Sequence, residues 1–266
     1  MSSPSRFGVT NYAAARSIVA GGSVLQNGSG GGAPAVVQDA NFPMSNVMQD
    51  DQYVLWNTGA APGTPVQVDI TLLAATSLSA ASVHALRAAA GASVTSLKVY
   101  TQTGAYTPGG TWTLRGTVNS PGRHAGVVFA ATSVDSIRYE FACTGQFQTG
   151  KFYAGDPFTL GGGTYAGNQG LENSPVRNAV VYSFPSGSIF SFNLGDTGRD
   201  VSIEFSELPA ADADLLDGLA SLVRPFIYVD PRDRFYNVLL ANKTVPIKMQ
   251  SPNPLYSASV ALTVYP

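Results

Sequence analysis

The residues best suited to chemistry are few and scattered. There are two histidines, His84 and His124, and a single cysteine, Cys143. A structural or catalytic metal needs imidazoles and carboxylates gathered at short, regular spacings, and neither His-x-His nor His-Glu-x-x-His occurs. With His84 and His124 far apart in the chain, the expectation is two surface or turn histidines and no metal. Cys143 has no histidine near it in sequence and no Gly-x-Ser-x-Gly turn occurs anywhere, so no nucleophile is assigned. A lone cysteine cannot form an intrachain disulfide, and a buried thiol is expected.

Carboxylate pairs are the next test, because glycan hydrolysis uses two acids at a fixed separation. Three pairs are close in sequence: Asp50 with Asp51, Asp212 with Asp214, and Asp230 with Asp233. The second falls in the first turn of a predicted helix, where the helix dipole favours negative charge. The third flanks Pro231 in a turn, an ordinary place for aspartate. The glycine runs at 28–32 and 161–163 lack the Lys-Ser/Thr ending of a phosphate-binding loop. No catalytic, cofactor-binding or metal-binding residue is therefore expected, and no cofactor. Two aromatics near Pro108, Tyr106 and Trp112, have the ring type that stacks on a sugar. The competing reading puts Trp112 in a β-sandwich core and leaves Tyr106 as a loop residue.

The elements that would position these residues are mainly strands. Val66, Val68, Ile70 and Leu72 alternate with Gln67, Asp69 and Thr71, the period of a strand with one wet face. Segments 96–101, 111–115, 126–130 and 136–142 read the same way, separated by Gly/Pro turns at 107–110 and 120–122, which implies a sandwich. The Ala/Ser stretch 77–90 reads as helix or strand. Residues 53–56 suggest a first strand, preceded by an extended N-terminal arm over 1–50. A Gly-rich linker is expected at 161–178, after a sandwich over 51–160. The last part, 179–266, reads as a second β-rich domain with a hairpin at 179–194, a strand 201–205 and a helix near 208–222. That helix has apolar positions at Leu208, Leu215, Leu216, Leu219 and Leu222. Tyr256, Ala258, Val260, Leu262 and Val264 share one face of a closing strand, and Pro246 marks an edge.

Composition narrows the function classes. Charged residues make up 12% of 266, about half the usual share of roughly 25%. Such a surface is expected to be covered by partners or by copies of the same chain. The formal net charge is −2 and no basic run occurs, which argues against nucleic-acid binding. No apolar run reaches the ~18 residues of a membrane span, and no secretory signal is expected, so the chain is read as soluble and made inside a cell.

Residues 66–160, with Val66-x-Val68-Asp69-Ile70, the Ala/Ser segment, Trp112 and Ile137-Arg-Tyr-Glu-Phe141, resemble the discoidin or galactose-binding-like sandwich. The stretch 150–158 is similar to the segment closing such domains in minor tail proteins of tailed bacteriophages. Val201–Phe205, Ala211–Leu216 and Pro225–Pro231 resemble phage tail-tip or baseplate proteins. The resemblance implies a mainly β fold and a non-enzymatic structural component of the virion, located in the tail after synthesis in the host cytoplasm. It further implies homo-oligomeric assembly in several copies with other tail proteins, the arm wrapping a neighbour. The alternative reading is a carbohydrate-binding module for host adsorption that uses the discoidin-like domain, with Tyr106 and Trp112, by ring type, as the candidate contacts to a surface glycan. The chain departs from secreted discoidin domains in having no disulfide and no assignable apolar loop spike, so ligand binding does not carry over with the fold.

Overall fold

The computed structural model describes residues 5–13, 25–26, 46, 55–58, 65–107, 109–160, 168–176, 179–183, 189–193, 198–222, 224–241, 245–250 and 255–264. The fold is mainly β, with one helix among the described residues. The chain divides into two compact units: residues 7–158 with 229–235, and residues 1–6, 159–228 and 236–266.

The first unit is a sandwich. Its larger sheet runs in the order Lys151–Gly155, Val66–His84, Ala125–Cys143, Val94–Gln102, Thr113–Asn119, with Leu25–Gln26 also paired to Val66–His84. The two nineteen-residue strands are antiparallel with Val66 opposite Phe141, Val68 opposite Tyr139 and Ile70 opposite Ile137. Alternation then sorts the side chains. Val66, Val68, Ile70, Leu97, Val99, Ile137, Tyr139 and Phe141 enter one core with Phe152. Gln67, Asp69, Lys98, Arg138 and Glu140 take the other face. A second sheet of Trp56–Asn57, Phe147–Thr149 and Arg87–Ala88 supplies Trp56 and Phe147 to that core. Trp56 meets Phe147 edge-on at 5.8 Å, and Phe141 lies 4.9 Å from Phe147. Each such side chain contributes about 1.5–3 kcal/mol by leaving water.

The Ala/Ser stretch resolves as strand through His84. Its backbone is claimed on both sides, by Ala125–Val128 and by Lys151–Gly155, and this ladder overrides the helix preference of alanine. Ala85, in the left-handed region at φ 56, ends the strand.

The described part of the first fifty residues differs from a free arm. Phe7 is fully buried and stacks on Phe158 at 5.6 Å. Asn11 donates to the Phe152 carbonyl at 2.9 Å and accepts from the Ala154 amide at 3.2 Å, while the Tyr12 amide bonds the Ala154 carbonyl. The segment thus closes the edge of strand Lys151–Gly155. Composition favours a loose arm here, but one Asn and one Phe in register with an open edge are enough to bind it.

In the second unit the sheet runs Phe226–Val229, Phe235–Leu240, Leu255–Val264, Gly198–Leu208, Asn168–Val176, with Ile247–Gln250 also on Leu255–Val264. Asn168–Val176 lies where a linker is expected; pairing of Leu171 with Ile203 and Asn173 with Val201 makes it a strand despite Gly170 and Pro175. Val260 and Leu262 are fully buried beside Ile203, the face expected from alternation. Ala179–Ser183 and Ile189–Asn193 form the hairpin. Helix Ala210–Ala220 follows Pro209, buries Ala213, Leu216 and Leu219, and carries Asp212 in its first turn. Leu215, counted among the apolar positions, points to solvent instead, one residue off that stripe. Among the described residues no helix is long and apolar enough to cross a membrane.

Candidate functional site

The core-free face of the larger sheet holds a buried ion pair. Register places Asp69 directly opposite Arg138 on adjacent antiparallel strands. The Arg138 guanidinium donates from Nε to Oδ1 at 2.6 Å and from Nη2 to Oδ2 at 2.7 Å. Asp69 is fully buried and Arg138 nearly so. A two-pronged contact of this kind is the geometry that lets a carboxylate tolerate burial.

Over this pair folds the 103–112 loop. The Tyr106 hydroxyl donates to Asp69 Oδ2 at 3.0 Å. Burial, then the Asp69 charge, pushes that hydroxyl well above the usual tyrosine range, so it stays a neutral donor. The Trp112 ring lies over Arg138, its centroid 4.1 Å from Cζ. Tyr106 and Trp112 meet at 6.3 Å and 73°. The loop is clamped by Gln102, which donates to the Thr107 carbonyl and accepts from the Thr107 amide, both at 3.1 Å. Gly104, at φ 90, donates its amide to Asp135 at 2.6 Å. A side chain at Gly110 would strike Gln102 and Thr107.

The structure therefore brings Tyr106 and Trp112 together and corrects the core reading of Trp112. The sandwich core takes Trp56; Trp112 is half-buried on the opposite face because a cation lies there for its ring to cover. Asp69 and Arg138 were missed as site residues. Their only sequence signal is a charge on the wet side of each of two strong strand patterns, and the pairing of those strands is not local information. Beside them Glu140 accepts from Gln67 at 2.7 Å, Lys98 at 3.1 Å and Tyr100 at 3.4 Å. Glu140 raises the Lys98 pKa by hydrogen bond and charge. The face presents two half-exposed aromatic rings at an angle, above compensated charge. Such rings can stack on the C–H face of a sugar.

His124 lies in a turn, as expected, but His84 does not. His84 is fully buried at a strand end, and its Nδ1 is 3.1 Å from His124 Nδ1. His84 Nε2 lies 2.8 Å from Ser82 Oγ. Pairing of Val83 with Ala125 brings the rings together across forty residues, a juxtaposition invisible to motif spacing. Burial, then His124 and Lys151, pushes His84 well below the ordinary histidine pKa; burial, then Arg123, lowers His124 to about 4. Among the described residues no three of His, Cys, Asp and Glu converge. Cys143 is a buried thiol at the edge of the sandwich core.

The carboxylate pairs have structural places. Asp230 is buried, accepts from the Arg232 and Arg234 amides and pairs with the Arg234 guanidinium at 2.6 Å. Asp233 sits in the same turn at φ 55. Asp212 and Asp214 lie in the helix, and Asp50 and Asp51 lie outside the described residues. In the second unit a shallow cleft of about 280 Å³ is lined by Glu204, Phe205, Pro246, Lys248 and Ser257–Ser259.

These features define a two-sheet sandwich with an aromatic surface site, joined in sequence to a second β-rich unit. The sequence matches no protein-family model and none of the curated proteins. Among solved structures the chain is similar to chitosan-binding module 1 of a chitosanase/glucanase from Paenibacillus sp. IK-5 (15% identity, 55% of this chain and 98% of that one, TM-score 0.42). It is also similar to a GH29 fucosidase of Ruminococcus gnavus in complex with fucose (20% identity, 56% of this chain, 27% of that one, TM-score 0.43). A third likeness is to CBM32-3 from a family 31 glycoside hydrolase of Clostridium perfringens (16%, 44% and 85%, TM-score 0.36).

Proposed function

We propose that the protein is a non-catalytic, glycan-binding β-sandwich module, and that Tyr106 and Trp112 are the residues that touch the sugar. The observation that carries this reading is the angled aromatic pair, half-exposed and held from beneath by Arg138 and Asp69. Rings locked by an ion pair lose little freedom on binding, which favours affinity from a small contact. Asp69 and Arg138 are positioning residues in this scheme, since both are buried. Charge compensation at the site favours a neutral glycan over an acidic one.

The test is retardation of the purified chain in native gels cast with neutral polysaccharides, followed by a glycan array. Binding that is lost in Trp112→Ala and weakened in Tyr106→Phe, with the melting curve still cooperative, supports the assignment. Absence of retardation on every polysaccharide, or retention unchanged in Trp112→Ala, removes it.

A second reading is favoured by the low charge content together with exposed Leu73, Leu114 and Met249. In it the chain is a structural component of a phage tail, in contact with copies of itself and with other tail proteins, and glycan binding serves adsorption. Light scattering on the purified chain tests the self-association this requires. Strand Thr113–Asn119 ends the larger sheet but carries a register shift opposite Val99/Tyr100, a bulge that blunts edge-to-edge pairing. Apolar faces, not this edge, would have to supply the contact.

A further inference from the structure

Fifteen residues beyond Asp69 on the same strand, His84 closes a second polar cluster that plays no part in the glycan site. Two turns meet there. The Leu86 amide bonds the Arg123 carbonyl across them at 2.9 Å, while the Ser120 amide ties its own turn to strand Val94–Gln102 through the Thr95 carbonyl at 2.8 Å. Each turn holds a non-glycine residue in the left-handed region, Ala85 at φ 56 and Ser120 at φ 47. Such conformations persist only where surrounding contacts impose them. One side-chain contact between the turns is the His84–His124 pair, with Nδ1 atoms 3.1 Å apart.

That contact needs at least one bare ring nitrogen. A first proton puts charge where burial has removed water, and a second sets two N–H groups against each other. Lys151, buried, is directly opposite His84 in the ladder, and Arg123 precedes His124. Among the described residues, the other hydrogen-bond partners at His84 are neutral: Ser82 on Nε2, Thr149 and Gly150 on its carbonyl. Phe235, which would meet any side chain at Gly126 beside Ser82, brings no charge, and Asp230 in the same hairpin is bound to Arg234. After burial, the Lys151 charge disfavours a proton on His84 and the Arg123 charge disfavours one on His124.

We propose that the His84–His124 contact is an acid-released latch, holding the 120–124 turn against the 84–87 turn at neutral pH and letting the two part on acidification. The latch is independent of glycan binding and stands or falls separately.

The reporter is hydrogen exchange of the Leu86 amide, corrected for the intrinsic effect of pH. A histidine at about 6.5 when released and about 4 when latched makes opening roughly twentyfold more frequent at pH 5 than at pH 7. His124→Asn keeps a hydrogen-bonding group near His84 without the proton, and its Leu86 opening is expected to vary far less with pH. At pH 5 Leu86 is expected to exchange faster than the core amide of Phe141. Equal opening at both pH values, the same pH dependence in His124→Asn, or Leu86 exchanging only as fast as Phe141 would each overturn the latch. Should His124→Asn not fold, NMR titration of the wild-type rings decides: His124 titrating near pH 4 supports the latch, and near 6.5 overturns it.

Discussion

Strand Val66–His84 carries two buried polar clusters on one face, and they solve burial in opposite ways. At Asp69 the charge is retained because Arg138 supplies two matched donors and Tyr106 a third. At His84 the charge is given up: both rings are held neutral, beside Lys151 and Arg123. The first arrangement presents aromatic rings outward. The second changes state when protons become available. A buried ion pair therefore makes a scaffold, and a buried pair of neutral bases makes a sensor.

The strongest way to break this contrast is at Asp69. Asp69→Ala leaves Arg138 buried without its partner and is expected to cost about 3–5 kcal/mol in urea unfolding. Asp69→Val combined with Arg138→Leu leaves no orphan charge and should cost clearly less. A loss below about 1 kcal/mol in the single variant would show that the pair is not the scaffold described.

Acid titration of global stability comes next. Both histidine pKa values are depressed in the fold, so the stabilising difference is fully present above about 6.5, where the unfolded rings are also neutral. It is lost as pH falls toward about 4, since only the unfolded chain takes up protons in that window. The part due to His124 alone is expected to reach about 3 kcal/mol, read from denaturant midpoints at each pH, and to disappear in His124→Asn.

Trp112→Ala should be milder for folding, at about 1–2 kcal/mol by thermal melting, because it removes a cation–π contact on a half-exposed face. Its larger effect is expected on glycan retention. The smallest change belongs to Lys98→Ala, at most about 0.5 kcal/mol, since the Lys98 side of its pair with Glu140 is exposed and screened by water. A larger loss there would mean that Glu140, Gln67 and Tyr100 extend the scaffold along the sheet.

Much of the fold was legible because alternation is local. Val66, Val68 and Ile70 against Gln67 and Asp69 identify a two-faced strand without any partner, and the same holds for Val260 and Leu262. Tyr106 and Trp112 were legible as candidates by ring type and by the nearby Pro/Gly turn. Their setting was not, because the cation under Trp112 belongs to a strand twenty-six residues away. Asn168–Val176 was read as linker because glycine composition says nothing of a waiting partner strand.

Residue order alone settled the β class, the wet and dry faces of the main strands, the helix after Pro209 and the turn role of Asp230. Each of those depends on neighbours within a few positions. Tertiary pairing decided that Asp69 faces Arg138, that Trp112 roofs a cation instead of filling the core, and that His84 meets His124. Those outcomes depend on the register between distant strands, and a shift of one residue would have turned every one of those side chains to the opposite face.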